Sequence, residues 1–336
     1  MRRAVIARLE IGLLGFWAAC QFASSARAAS LPTFEDFRRI DRARRLTGQF
    51  LTPELLEVTR IDPSVVLGAG QSPRADWQLR WAAAELLPVG PDRQAAFESA
   101  LRTSGTNVAV ALRFACATAY HGESETARQW LRYCEREEPD NLVPWLAELW
   151  MQQRSKPPGR ATNLVARAGT VVSSTVFRDY RASATRARIR LLQSVGYSPY
   201  AARRLGVLFD SVELAMARDL AQTVLDPDAE PLALAIARAL QRSAPFLVAE
   251  RIGERLERAV LLAHPDARPS PEVRQRLDAL DARQEEISAL LADLEEHTVD
   301  LATESEMVQY FDDVLSQGEE SAMKKLAATV RRSPAR

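Results

Sequence analysis

The segment VAVALRFACATAYHGESETARQWLRYCEREEPDN, running from Val108 to Asn141, decides the fold of this chain. Its apolar residues recur at helical spacing in two runs, about 107–120 and 124–137, with His121-Gly122 as the break between them. Ala127, Leu131 and Cys134 fall at steps of four and three, so they share one face of the second run. Small residues on such a face let two helices approach closely. Pro139 then ends the hairpin, because its ring removes a backbone donor and crowds the preceding turn.

Similar runs lie on both sides. Pairs at about 75–87 and 92–103, and at 142–154 and 160–169, are separated by Pro88-Val89-Gly90-Pro91 and by Lys156-Pro157-Pro158-Gly159. Nearer the N-terminus, Thr33 to Leu46 carries Phe34, Phe37, Ile40 and Leu46 on one helical face. Thr52-Pro53-Glu54 has a cap, a proline at the first helical position and an acid in the first turn, so it opens a short second helix. Residues 61–75, with Pro63, Gly68, Gly70 and Pro73, read as a loop. Beyond Ser173 the regular period is lost. Helices are expected at about 175–194, 198–224, 229–242 and 245–263. His264 to Pro271 is a Pro-rich linker, and helices at about 271–298, 304–315 and 319–331 follow it. No period-2 run appears, so the chain reads as all-α.

The Val108–Asn141 hairpin resembles one tetratricopeptide repeat. Gly122 stands at the turn, Ala127 and Cys134 at the small positions of the second helix, Leu131 at its large apolar position, and Pro139-Asp140-Asn141 at the closing Pro-x-Asn. Counted on by one repeat, Trp145, Ala161, Val165 and Ala168 continue the pattern over 142–169, without a closing proline, while Thr118 replaces the usual aromatic in the first unit. The resemblance implies a helical-hairpin repeat, an α-solenoid with units at about 75–170, followed by a C-terminal helical module. It also implies a concave groove displaying Leu112, Cys116 and Tyr120, then Val143, Leu146, Trp150 and Arg154. Of these, Leu112, Tyr120, Leu146, Trp150 and Arg154 are the candidate partner-binding residues. The chain's own neighbouring helices are expected to cover these positions, because Trp and Leu at helical spacing commonly form core.

Composition sets the class. The 336 residues are 47% hydrophobic, with 44 basic residues balancing 44 acidic ones, as in an ordinary globular protein. No global field would draw such a chain to nucleic acid. Residues 1–28 read as a signal peptide: Arg2 and Arg3, an apolar run from Ile11 to Ala19, then Ala26-Arg27-Ala28 before Ala29. Cleavage after Ala28 would deliver a periplasmic or secreted body. The alternative is an outer-membrane lipoprotein anchored at Cys20, and only that route gives the protein a membrane attachment. The expected division is thus a signal at 1–28, a helical-repeat scaffold at 29–264, a linker at 265–271 and a C-terminal module with a basic tail at 272–336.

Motif chemistry is sparse. The sequence holds no Gly-rich phosphate loop, His-Glu-x-x-His, Cys-x-x-Cys or Gly-x-Ser-x-Gly, so no catalytic, cofactor-binding or metal-ligating residues are assigned. Glu-Ser pairs at 98–99, 123–124, 304–305 and 320–321 lack the segment that follows the catalytic pair in helical muramidases. His121, His264 and His297 are expected on the surface, and Cys116 and Cys134 as buried packing residues too far apart to bridge.

Two charge blocks stand out. Residues 154–204 carry eleven basic residues against Asp179, and residues 285–320 carry twelve acids and no Lys or Arg. They could meet charged partners, pair with each other, or form solvated faces. Val273, Leu277, Leu280, Gln284, Ile287, Leu291 and Leu294 form a heptad seam, expected to pack within a monomer, with a homodimer through 273–294 as the alternative. The functional expectation is an exported, non-enzymatic scaffold or adaptor for an unidentified protein partner in the cell envelope. Its alternative is an envelope enzyme, for example a hydrolase, whose residues converge only in three dimensions.

Overall fold

The computed structural model describes residues 31–47, 60–155, 162–208, 211–223, 225–243, 246–263, 270–297 and 301–332. In chain order the helices are α1 (Phe34–Thr47), α2 (Pro63–Gln71), α3 (Trp77–Leu86), α4 (Pro91–Ser104), α5 (Val108–Tyr120), α6 (Ser124–Glu137), α7 (Val143–Arg154) and α8 (Thr162–Ala168). They continue as α9 (Arg181–Ser194), α10 (Pro199–Leu208), α11 (Val212–Leu220), α12 (Glu230–Ser243), α13 (Leu247–Leu261), α14 (Pro271–His297), α15 (Glu304–Gln317) and α16 (Glu319–Arg332). The protein is all-α. Among the described residues the one β-type pairing is an isolated bridge between Asn141 and Val176.

Three local readings change. The expected loop at 61–75 contains α2, because Asp62 caps it by accepting the Ser64 N–H and Pro63 occupies its first turn. Its Gly70 is a packing residue, since a Cβ there would meet Ala83 Cβ at 2.5 Å. The expected helix at 175–194 begins only at Arg181. Before it, residues 174–180 are tied to the α6–α7 connection. There Asn141 Oδ1 accepts the Val143 and Arg178 N–H groups, Leu142 N–H donates to Val176 O, and Tyr180 donates its hydroxyl to Glu138. Tyr180 has φ of +54°, a left-handed conformation that ends any helical continuation. The expected helix at 198–224 is two, α10 and α11, and Ser211 caps the second by accepting the Leu214 N–H. The expected helix opened by Thr52, and residues 264–269 of the Pro-rich linker, lie outside the described residues.

The chain forms two compact units, each assembled from three stretches. The first comprises residues up to Thr103, Ser183–Asp210 and His297–Phe311. Its core holds Phe37, Val66, Trp81, Phe97, Leu191, Leu192 and Tyr200. Tyr200 gathers Phe34, Phe37 and Phe311 at ring distances of 4.8, 5.7 and 6.0 Å, joining three stretches of chain. Arg188 is buried here. It donates to Glu85, to Gly206 O and to Thr185, so its charge is both paired and hydrogen-bonded.

The second unit comprises Ser104–Ala182, Ser211–Glu296 and Asp312–Arg336. Its centre is α5, whose residues from Ala109 to Ala119 are all buried. The α5–α6 hairpin closes on Ala127, Leu131 and Cys134, all within 1% of full burial. Cys116 and Cys134 are buried free thiols, and burial pushes Cys134 up to about 12. Residues 272–336 are divided between the units, with 297–311 in the first and the rest in the second.

Candidate functional site

Most of the groove residues expected from the repeat pattern sit beneath another helix of the same unit. Leu112 and Leu146 have no exposed surface, and α11 packs across both α5 and α7. Glu213 of α11 accepts from Arg113 at 2.7 Å, and Asp219 accepts from Trp150 Nε1 at 3.2 Å. Trp150 meets two further groups: Tyr120 stacks on it at 5.2 Å, and the Arg154 guanidinium lies 4.8 Å from its ring while pairing with Asp219 at 3.6 Å. Tyr120 remains half-buried and Arg154 exposed, so the group is an edge of the core with a polar rim.

A cleft of about 430 Å³ opens on a different face, formed by α6, α7 and α8. Arg128 comes from α6, Glu148, Met151 and Gln152 from α7, and Asn163, Leu164 and Arg167 from α8. The helices converge because α7 packs on both α6 and α8. Met151 and Leu164 are buried and form the apolar floor, while the charged and amide groups form the walls. This is the composition of a ligand or side-chain pocket: apolar surface with a few convergent polar groups.

Arg167 organises the wall. Its Nη1 donates to Glu148 at 2.7 Å, and its Nη2 reaches Glu135 at 3.0 Å and Glu148 at 3.4 Å. The guanidinium also lies 5.4 Å from the ring of buried Trp145, an arrangement that favours a cation. Hydrogen bonding to Glu148 raises Arg167 above its ordinary value. Burial, with the Glu148 carboxylate beside it, holds the Glu135 carboxyl above the usual range, although Arg167 pulls the other way. Two carboxylates with a displaced acid suggest proton transfer, but such a pair needs a gap where the reacting atom can sit. Here a guanidinium spans both carboxylates.

The remaining sequence candidates are dispersed. Ser99 accepts from Arg80, Glu98 is bonded to Gln94, and Glu320 is bonded to Arg283 and Lys324, so these Glu-Ser pairs are engaged separately. His121 is an exposed residue at the α5–α6 turn beside Tyr120. Among the described residues, no group of three or more His, Cys, Asp or Glu could hold a metal ion. Arg167, Arg178, Arg188, Arg190 and Arg204 meet acids between Asp41 and Glu148, while Asp293, Asp313 and Glu320 meet bases between Arg283 and Arg331. No described helix is long and apolar enough to cross a membrane. No protein-family model matches the chain, and neither does a curated protein or a solved structure.

Proposed function

We propose that this protein is an exported, non-enzymatic helical scaffold that holds a protein partner in the cell envelope, with tetratricopeptide-like hairpins in its middle third. The observation that carries the reading is the state of the cleft between α6, α7 and α8. Its strongest ionisable groups are committed to one another through Arg167, which suits a rigid recognition surface better than a turning-over acid–base site. Met151 and Leu164 offer an apolar seat, and Arg128 at the rim offers a charge to a carboxylate on the partner. The export step rests on the residue pattern of 1–28. The test is cross-linking of the full chain in envelope extracts beside a muralytic zymogram. A stoichiometric partner that is lost when Arg128→Glu reverses the rim charge supports the scaffold reading. Substrate clearing by the purified protein overturns it in favour of the envelope enzyme.

A further inference from the structure

The cleft between α6, α7 and α8 has a direction. Arg167 ties Glu135 of α6 to Glu148 of α7 and so fixes one level of it. Because α6 and α7 pack on each other and only residues 138–142 join them, they run antiparallel. Gln152 stands one turn beyond Glu148 and Asn163 one turn before Arg167, while Arg128 and Ser155 stand two turns away along α6 and α7. The cleft therefore runs about 10 Å, from an end where the charges are committed to one another to an end where Arg128 stands. Buried Met151 and Leu164 floor it.

Size and charge select what fits. A cleft of about 430 Å³ and this length admits about three residues of extended chain, at about 3.3 Å each, whereas an α-helix, about 10–12 Å across, stays outside. Charge at the Arg128 end is positive. Arg128 reaches Glu125 only at 4.0 Å, a carboxylate that is 78% exposed, and Arg132 lies exposed one turn further along α6. Such a surface pair holds an arginine weakly. Asn163 is exposed, and its amide carries a donor and an acceptor, matching the pair that a peptide group offers. The same unit already uses this chemistry: Asn141 Oδ1 accepts the Arg178 N–H at 3.0 Å and Asn141 Nδ2 donates to Arg178 O at 3.1 Å, so one amide side chain reads the main chain of a non-helical segment.

Resting on the scaffold reading above, we infer that the cleft takes an extended acidic segment of the protein partner: an apolar side chain on Met151 and Leu164, the main chain on Asn163, and a neighbouring Asp or Glu on Arg128. Arg167 does not compete for that carboxylate, because Glu135 and Glu148 already hold it. The exposed acids of this chain at Glu285 and Glu286 belong to the helix α14, so a second copy does not supply the segment from there. The apolar seat sets affinity, and the arginine and the amide set which segment is chosen.

Calorimetric titration of the full-length protein with the doubly capped peptide acetyl-Ser-Glu-Val-Thr-Gly-amide tests this. It should bind with Kd below about 1 mM, and about tenfold more weakly when its Glu is replaced by Gln or its Val by Ser. Arg128→Glu should weaken the Glu peptide about tenfold and should bind the Lys counterpart better than the parent does, a reversal that a merely damaged fold would not produce. Asn163→Ala should weaken every peptide. Failure of all capped peptides at about 1 mM, equal binding of the Glu, Gln and Lys peptides, or binding confined to peptides with a free C-terminal carboxylate overturns the inference. If Arg128→Glu releases a cross-linked partner while capped peptides fail, this inference falls and the scaffold reading stands. Capped-peptide binding without any cross-linked partner supports the inference and counts against the scaffold reading.

Discussion

Arg113 and Glu213 are separated by 100 residues in the chain and by 2.7 Å in the fold. Both side chains are almost wholly buried, so the ion pair has lost its water and is held by geometry alone. The Cys116 thiol is pushed well above its usual value, first by burial and then by the Glu213 carboxylate beside it. Removing either charge strands the other in the core. Glu213→Leu or Arg113→Met should each cost about 3–5 kcal/mol, whereas the double variant Arg113→Met/Glu213→Leu should cost much less than their sum, because no charge is left behind. Urea unfolding of the four proteins measures the coupling, and strictly additive losses would show that the pair does not act as a unit. Nothing local in the sequence announces this contact. Arg113 interrupts an apolar run and Glu213 opens a short helix, and each alone reads as a solvated charge.

At the scale of elements, α2 shows how one residue type serves opposite ends. Gly68 and Gly70 lie in the same helix, two residues apart. A Cβ at Gly68 meets nothing within 4 Å, while one at Gly70 would sit 2.5 Å from Ala83 Cβ, where α2 packs on α3. Gly68→Ala should therefore stabilise by about 0.5–1 kcal/mol through helix propensity and a less flexible unfolded chain. Gly70→Ala should destabilise by about 1–3 kcal/mol as the hairpin is forced apart. Thermal midpoints that move the same way in both variants would refute the close contact. The same pair explains what the sequence hid. Glycines and prolines between residues 61 and 75 read as a loop, although Asp62-Pro63 carries the cap-and-proline signal that also marked Thr52-Pro53. Long periodic segments such as α5, α6, α12 and α14 were legible because burial of one face imposes their spacing. The cover given by α11 was not, since periodicity reports which face is apolar and never which neighbour meets it. Arg167, Glu135 and Glu148 were invisible for a related reason: they converge from three helices at separations of 32 and 19 residues.

For the molecule as a whole, the path of the chain ties the two units into one covalent weave. It passes between them five times, and only the crossing at 210/211 falls outside the helix bounds among the described elements. Both units also depend on carboxylates held in their charged form. In the first, hydrogen bonds from Thr33 lower Asp36, those from Ser64 lower Asp62, and those from Leu79 and Arg190 lower Asp76 against the cost of burial. In the second, Arg178 lowers Asp140, Arg283 lowers Glu320, and the bonds from Arg276, Gln241 and Arg238 outweigh burial to bring Glu257 to about 2. A carboxyl whose folded value lies below its unfolded one contributes stability above the unfolded value and loses it as pH falls through the folded value. For Glu257 that window runs from its ordinary 4.5 down to about 2. The full shift corresponds to an upper bound of about 3 kcal/mol, and the part-exposed arginine partners reduce it through solvent screening. Glu257→Gln should therefore cost about 1–3 kcal/mol at about pH 6, and the difference from the parent should shrink steadily below about pH 4. Denaturant titrations across that range decide the matter: a Glu257→Gln deficit that is the same at about pH 2.5 as at about pH 6 would mean the residue acts through its shape and not through its charge.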